Sequence, residues 1–300
     1  MNQRNEFLLT TTPVADLTLK PVLEPIYFPQ FVDGGGYMTS IILLNTSSVQ
    51  ETGTLTITDG KGEPFVVNQV GGTADSSFAY SILPGGVYRL QTDGFPMDVK
   101  VGWVRLTPNA GTSTPIGSGV FGYNPDKIMI SESGIPSAVA TTHARVFVDL
   151  SSNHDTGLAM ANTTAAHASI AINAFHNDGF TPAGNINDPL PLLPNGYSAA
   201  FANEFVTGLP TGFTGVLDIS SETPFAALTL RTLMNERNEF LMTTFPVADA
   251  NAEAPSPIVF PQVVDGGGYI TEFILISAGG EASTALRFYD ENGTPADFGE

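Results

Sequence analysis

One stretch of this chain returns almost unchanged, and it limits what the chain can fold into. Arg4-Asn5-Glu6-Phe7-Leu8-Leu9-Thr10-Thr11-Thr12-Pro13-Val14-Ala15-Asp16 recurs as Arg237-Asn238-Glu239-Phe240-Leu241-Met242-Thr243-Thr244-Phe245-Pro246-Val247-Ala248-Asp249. A second stretch, Phe28-Pro29-Gln30-Phe31-Val32-Asp33-Gly34-Gly35-Gly36-Tyr37-Met38-Thr39, recurs from Phe260 to Thr271 as Phe-Pro-Gln-Val-Val-Asp-Gly-Gly-Gly-Tyr-Ile-Thr. The offsets are 233 residues (237 against 4) and 232 (260 against 28). Solenoid and propeller units are roughly 20 to 50 residues long. A period this long makes the repeating unit one or two whole domains.

Inside that period the plan repeats again, more distantly. Leu44-Asn45-Thr46-Ser47 matches Ala161-Asn162-Thr163-Thr164, and Asp59-Gly60-Lys61-Gly62 matches His176-Asn177-Asp178-Gly179. Leu83-Pro84-Gly85-Gly86 matches Leu193-Pro194-Asn195-Gly196, and Thr114-Pro115 matches Thr223-Pro224. The unit therefore reads as two related domains, A (28–136) and B (144–246). Residues 1–16 read as the last strand of a preceding β domain, 17–27, with Pro21 and Pro25, as a linker, and 260–300 as the opening strands of a second A-type domain.

The local pattern is that of strands. Gly53-Thr54-Leu55-Thr56-Ile57-Thr58 alternates strictly, placing Leu55 and Ile57 on one face. Ile41-Ile42-Leu43-Leu44 reads as a strand buried on both faces. Further strands are expected at Ser77–Ile82, Val87–Thr92, Val99–Leu106, Gly117–Tyr123 and Ile128–Ser133. With 31 glycines, 22 prolines and no sustained helical period, the expectation is an all-β chain of tandem Ig-like β-sandwich domains, arranged as beads on a string.

Composition excludes several functions. Lys and Arg number 11 against 30 Asp and Glu, a net charge of −19, which opposes nucleic acid and anionic membrane surfaces. There is no cysteine, hence no disulfide, thiolate metal site or cysteine nucleophile. No apolar run is long enough for a membrane helix, and no signal peptide follows Met1, so an export signal is expected outside these residues.

Candidate chemical sites each have a plainer structural account. Asp33-Gly34-Gly35-Gly36 and Asp265-Gly266-Gly267-Gly268 lack the Lys and helix of a phosphate loop and the ligand spacing of an EF-hand, so they read as tight glycine turns, with a junction cation as the alternative. Asp59-Gly60, Asn177-Asp178-Gly179 and Asp290-Glu291-Asn292-Gly293 read as hairpin turns. His143, His154, His167 and His176 crowd into B but include no helical His pair, so no metal site is assigned. Trp103 shares a face with Val99 and Val101 and reads as a core residue rather than a sugar platform. Asn45, Asn162 and Asn292 open glycosylation sequons and read as polar strand ends. No catalytic, cofactor or metal residue is assigned.

The two repeated motifs resemble the long tandem β-sandwich repeats of large secreted or cell-surface proteins of environmental bacteria, particularly acidobacteria. That resemblance covers essentially the whole chain and implies an extracytoplasmic structural or adhesive role. The expectation is a non-enzymatic repeat protein of a fibre, stalk or surface layer, with neighbouring copies of itself as partners. A polysaccharide-binding module of a larger secreted protein, meeting surface glycans, is the alternative. Residues 4–16 are also a natural donor strand for a neighbouring subunit. Against that, residues 260–300 lack counterparts of residues 65–129, which one donor cannot replace.

Overall fold

The computed structural model describes residues 1–253, 257–277 and 282–296. In the A half the strands are β1 (Ile26–Asp33), β2 (Tyr37–Leu44), β3 (Glu51–Asp59), the short pair β4 (Val67–Asn68) and β5 (Ala74–Asp75), β6 (Ser77–Ile82), β7 (Val87–Gln91), β8 (Lys100–Pro108), β9 (Ile116–Tyr123) and β10 (Ser131–Pro136). They form two antiparallel sheets of four strands, ordered β1-β8-β3-β6 and β10-β9-β2-β7. Leu55 and Ile57 of β3, Ile41 and Leu43 of β2, Leu106 of β8 and Phe121 of β9 close the space between the sheets. Each such side chain contributes about 1.5–3 kcal/mol by leaving water.

The B half contains β11 (Thr141–Asp149), β12 (His154–Asn162), β13 (Ala168–His176), β14 (Pro182–Ala183), β15 (Leu190–Leu192), β16 (Tyr197–Phe201), one helical turn α1 (Ala202–Phe205), β17 (Thr214–Met234), β18 (Phe240–Phe245) and β19 (Ala248–Asp249). Its pairing follows that of A strand for strand. The first part of β17 lies between β11 and β13, as β8 lies between β1 and β3. The second part lies between β12 and β18, as β9 lies between β2 and β10. What A builds from two strands and the loop 109–115, B builds from one strand of 21 residues that crosses from one sheet to the other. Both halves are β-sandwich-like.

Several expectations need correction. Residues 4–16 form no strand, although their twin 240–245 is β18. A strand needs an edge, and the edge of β17 from Thr229 to Met234 is already taken by β18. Residues 260–300 likewise contain no strand among the described residues, only the bridges Gly266↔Tyr269 and Tyr289↔Pro295, because the strands that pair β1 and β2 in A have no counterpart there. Positions 278–281 and 297–300 of that stretch lie outside the described residues.

The linker 17–27 does not hang free. Val22 and Glu24 accept hydrogen bonds from the Thr114 amide and hydroxyl, both at 2.8 Å, and Ile26 already belongs to β1. Ile41 and Leu43 are fully buried while Ile42 and Leu44 are half-buried, so β2 has one sealed face rather than two. The strand expected at Ile128–Ser133 begins only at Ser131, because Asp126 and Lys127 take positive φ in a 3-10 turn.

The largest correction concerns the beads. Ala159, Ala161, Tyr197, Ala226, Leu228 and Met242 of B belong to the same hydrophobic cluster as the core of A. The two halves pack sheet on sheet, and β1 and β8 are covered on both faces.

Candidate functional site

The junction between the halves joins a hydrogen-bonded turn of B to an aromatic and cationic face of A. Along β8, Val104 and Leu106 point into A, so Trp103 and Arg105 must point the other way. Valines Val99 and Val101 are 51% and 43% exposed while Trp103 is 1% exposed, so its burial comes from B and not from the core of A. The Arg105 guanidinium lies 5.1 Å from the Trp103 ring centre and 5.9 Å from that of Tyr27, cation over aromatic face.

Opposite stands the turn Leu193-Pro194-Asn195-Gly196. Pro at its second position and positive φ (54°) at Asn195, closed by the Gly196 amide on the Leu193 carbonyl at 2.8 Å, make it a type II turn. Trp103 Nε1 donates to the Asn195 carbonyl at 2.9 Å. Arg105 Nη2 donates to Asn195 Oδ1 at 3.0 Å and to the Thr163 carbonyl at 2.7 Å. Tyr197 adds its amide to the Gly60 carbonyl at 3.1 Å and its phenol to Gln30 Oε1. Burial pushes the Tyr197 phenol far above the usual tyrosine range. Trp103 and Tyr27 of A share one buried cluster with the small B-side residues Ala159, Ala161 and Ala226. Gly62, at φ 86°, belongs to the same joint, since a Cβ there would collide with the Pro194 carbonyl.

A second contact joins the two copies of the Arg-Asn-Glu motif. Asn2 and Asn235 fold their loops identically, each side-chain oxygen accepting two backbone amides at 2.9 Å: those of Arg4 and Glu6, and of Arg237 and Glu239. Asn5 and Asn238 take positive φ in the same place, 61° and 58°. The two loops then clasp each other, Arg4 pairing with Glu239 and Arg237 with Glu6. The Asn2 hydrogen bond holds the Glu6 carboxyl below its ordinary range, and the Asn235 hydrogen bond does the same for Glu239. These groups lie at the surface, where ion pairs orient more than they stabilise.

The residues singled out by sequence are not assembled into a reaction centre. His143 meets Asp218 at 2.9 Å and His176 stacks edge-on against Phe213 at 5.8 Å, while His154 faces the Ser151 carbonyl at 3.3 Å and His167 is exposed. Among the described residues no three His, Asp or Glu side chains are grouped to hold a metal. Gly35 and Gly36 both take positive φ, with Gly34 and Tyr37 exchanging amide-carbonyl bonds, so Asp33–Tyr37 is a two-residue hairpin turn, and Gly266 to Gly268 repeat the geometry. Asp33 is committed to that turn. Burial pushes its carboxyl up, while one oxygen accepts the Gly94 amide at 3.2 Å. Asn45 and Asn162 are fully buried, and their amide nitrogens donate to the carbonyls of Val49 and Ile82, and of Ala166 and Leu193. The nitrogen a glycan needs is spent on closing the loop.

Sequence reading missed Arg105, Asn195, Tyr197 and Glu51. A signal existed for Asn195 in its Pro-Asn-Gly turn, but nothing marked that turn as an interface. Glu51 is fully buried, with Ser113 donating to one carboxyl oxygen at 2.6 Å and the other oxygen unpartnered. Burial pushes its pKa up despite Ser113, and burial with the nearby carboxylate pushes Tyr80 up to about 12. A carboxyl raised in the folded state favours folding when protonated, and that contribution is lost as pH rises from the unfolded pKa through the folded one. Glu51→Gln is therefore expected to raise stability at neutral pH by about 1 kcal/mol, the advantage shrinking as pH falls toward 4.5. Melting temperatures of both chains across that range check it, and a pH-independent difference would contradict it.

No protein-family model, no curated protein and no solved structure matches this chain.

Proposed function

We propose that the chain is a non-enzymatic extracellular repeat protein whose tandem Ig-like sandwiches build a fibre, stalk or surface layer. The observation that carries this reading is the sheet-on-sheet junction, in which Trp103, Arg105 and Tyr197 lock one half onto the next. An interface of this kind makes successive domains stiff, and a stiff unit repeated in sequence produces length and multivalency. The acidic surplus supports a soluble surface facing outward. A sugar-binding role draws less support, since the sole tryptophan spends its ring on the junction and its N–H on Asn195.

Negative-stain electron microscopy of native material beside the isolated chain tests the proposal. Filaments or sheets with a bead spacing of one or two domains are expected. Short rods that do not change with concentration would overturn the fibre reading and direct attention to glycan screens.

A further inference from the structure

The A–B junction has an unmatched counterpart on the opposite sheet of A. Strand pairing sets the equivalence: Leu44 pairs with Val87 and Ile116, as Ala161 pairs with Tyr197 and Ala226. Ala161, Tyr197 and Ala226 are buried against A. Their counterparts form an outer face of A on which Val87 is 61% exposed and Ile42, Leu44, Ile116 and Val120 are half-buried.

The matching equivalence on B replaces Tyr27 and Arg105, which pair across β1 and β8, with Arg145 and Asp218, which pair across β11 and β17. Trp103, two residues before Arg105, is replaced by Val216. At the first junction a large residue meets alanines. Here a smaller valine would meet Ile42, Leu44 and Ile116, so the volumes compensate. Arg89 beside Ile42 supplies a cation, and Asp218 supplies an anion on the facing surface.

The chain itself offers a second observation. Residues 271–277 repeat Thr39–Asn45 in position, and Thr271 bridges Val264 through its hydroxyl as Thr39 bridges Val32. This A-type β2 sequence lies at Arg145, whose Nη1 donates to the Ser277 carbonyl at 3.3 Å. Ile274 and Ile276, counterparts of Ile42 and Leu44, are half-buried, while Leu275, counterpart of the core residue Leu43, is 46% exposed. Phe273, counterpart of the core residue Ile41, is half-buried against Phe260 and Phe288 of the same segment, so the tie to B is the Arg145–Ser277 hydrogen bond.

We propose that the outer face of β2, β7 and β9 docks onto the Arg145–Val216–Asp218 face of a second copy of this chain, head to tail. The inference rests on the fibre reading and gives it a contact. A heterologous interface of this kind grows into an open filament when its rotation does not close a ring. The incoming copy brings three paired strands where residues 271–277 bring one segment that forms no strand, so it displaces them.

Because the full chain has no cysteine, single thiols report the contact cleanly. At the first junction the Tyr197 amide meets Gly60, whose counterparts are Val87 and Asn177. Full-length Val87→Cys mixed with full-length Asn177→Cys is expected to form disulfide-linked dimers about tenfold faster than Val66→Cys mixed with Asn177→Cys, through raised effective concentration. Adding Ile42→Asp to the Val87→Cys chain is expected to remove that advantage without changing its circular dichroism. Equal rates for the two mixtures would overturn the docking. Filaments seen alongside equal rates would leave the fibre reading standing on another surface, whereas fast cross-linking without filaments would sink the fibre and keep the contact.

Discussion

Trp103→Ala is expected to destabilise the chain by about 4 kcal/mol and to split one unfolding transition into two. The magnitude follows from removing a fully buried indole from a site lined by alanines, which cannot collapse to fill the void. The splitting follows from where the void lies. Each half keeps its own core, A around Leu55, Leu106 and Phe121 and B around Val146, Met160 and Leu217. Trp103 reaches from β8 of A to the Asn195 carbonyl of B, so its loss weakens the term that makes the halves unfold together. Trp103→Phe retains most of the apolar contact and loses the hydrogen bond to the Asn195 carbonyl, for about 1 kcal/mol plus the volume difference. Urea titration followed by far-ultraviolet circular dichroism reads all three chains. A single transition for Trp103→Ala, shifted by less than about 1 kcal/mol, would show that the junction does not couple the halves.

The parts of this architecture legible in the sequence were those decided locally. The alternation of Thr54 to Thr58 places Leu55 and Ile57 inward in β3, and the Leu-Pro-Gly-Gly and Leu-Pro-Asn-Gly turns appear where their glycine and asparagine allow positive φ. What the sequence withheld was decided by neighbours. Phe7 to Thr11 and Phe240 to Thr244 are nearly the same words, yet only the second is a strand, because only the second is paired, along Thr229 to Met234 of β17. Alternation put Trp103 on a face with Val99 and Val101 but did not say which face of β8 was the core, since β8 is covered on both. Alanines at 159, 161 and 226 look like unremarkable strand residues until a tryptophan from another sheet lies over them. The Arg-Asn-Glu repeat was visible as a period, but no period reveals that its two copies touch.

Arg231→Ala is expected to cost about 2 kcal/mol at neutral pH, and the cost should fade in acid. Asp149 closes β11 with its side chain 9% exposed. It accepts Arg231 Nη2 at 2.9 Å and Nε at 3.3 Å on one oxygen and the Ser151 amide at 2.9 Å on the other. Burial penalises this carboxylate, but the Ser151 and Arg231 hydrogen bonds outweigh the penalty and hold its pKa below the ordinary 3.8. A carboxyl lowered in the folded state contributes stability that is present above the unfolded pKa and lost as pH falls through the folded one. Without Arg231 the burial penalty stands with less to oppose it, the folded pKa rises, and that loss begins at higher pH. Arg231 is 24% exposed, which keeps the expected cost below that of a fully buried pair. The guanidinium also lies 5.9 Å from the Phe245 ring centre, a packing contact on β18 that the substitution removes along with the charge. Melting temperatures of parent and variant from neutral pH to well below 3.8, where Asp149 is protonated in both chains, separate the two causes. A gap that closes toward acid assigns the effect to Asp149, whereas a constant gap assigns it to Phe245 and removes the ion pair from the account of how β11 is tied to β17.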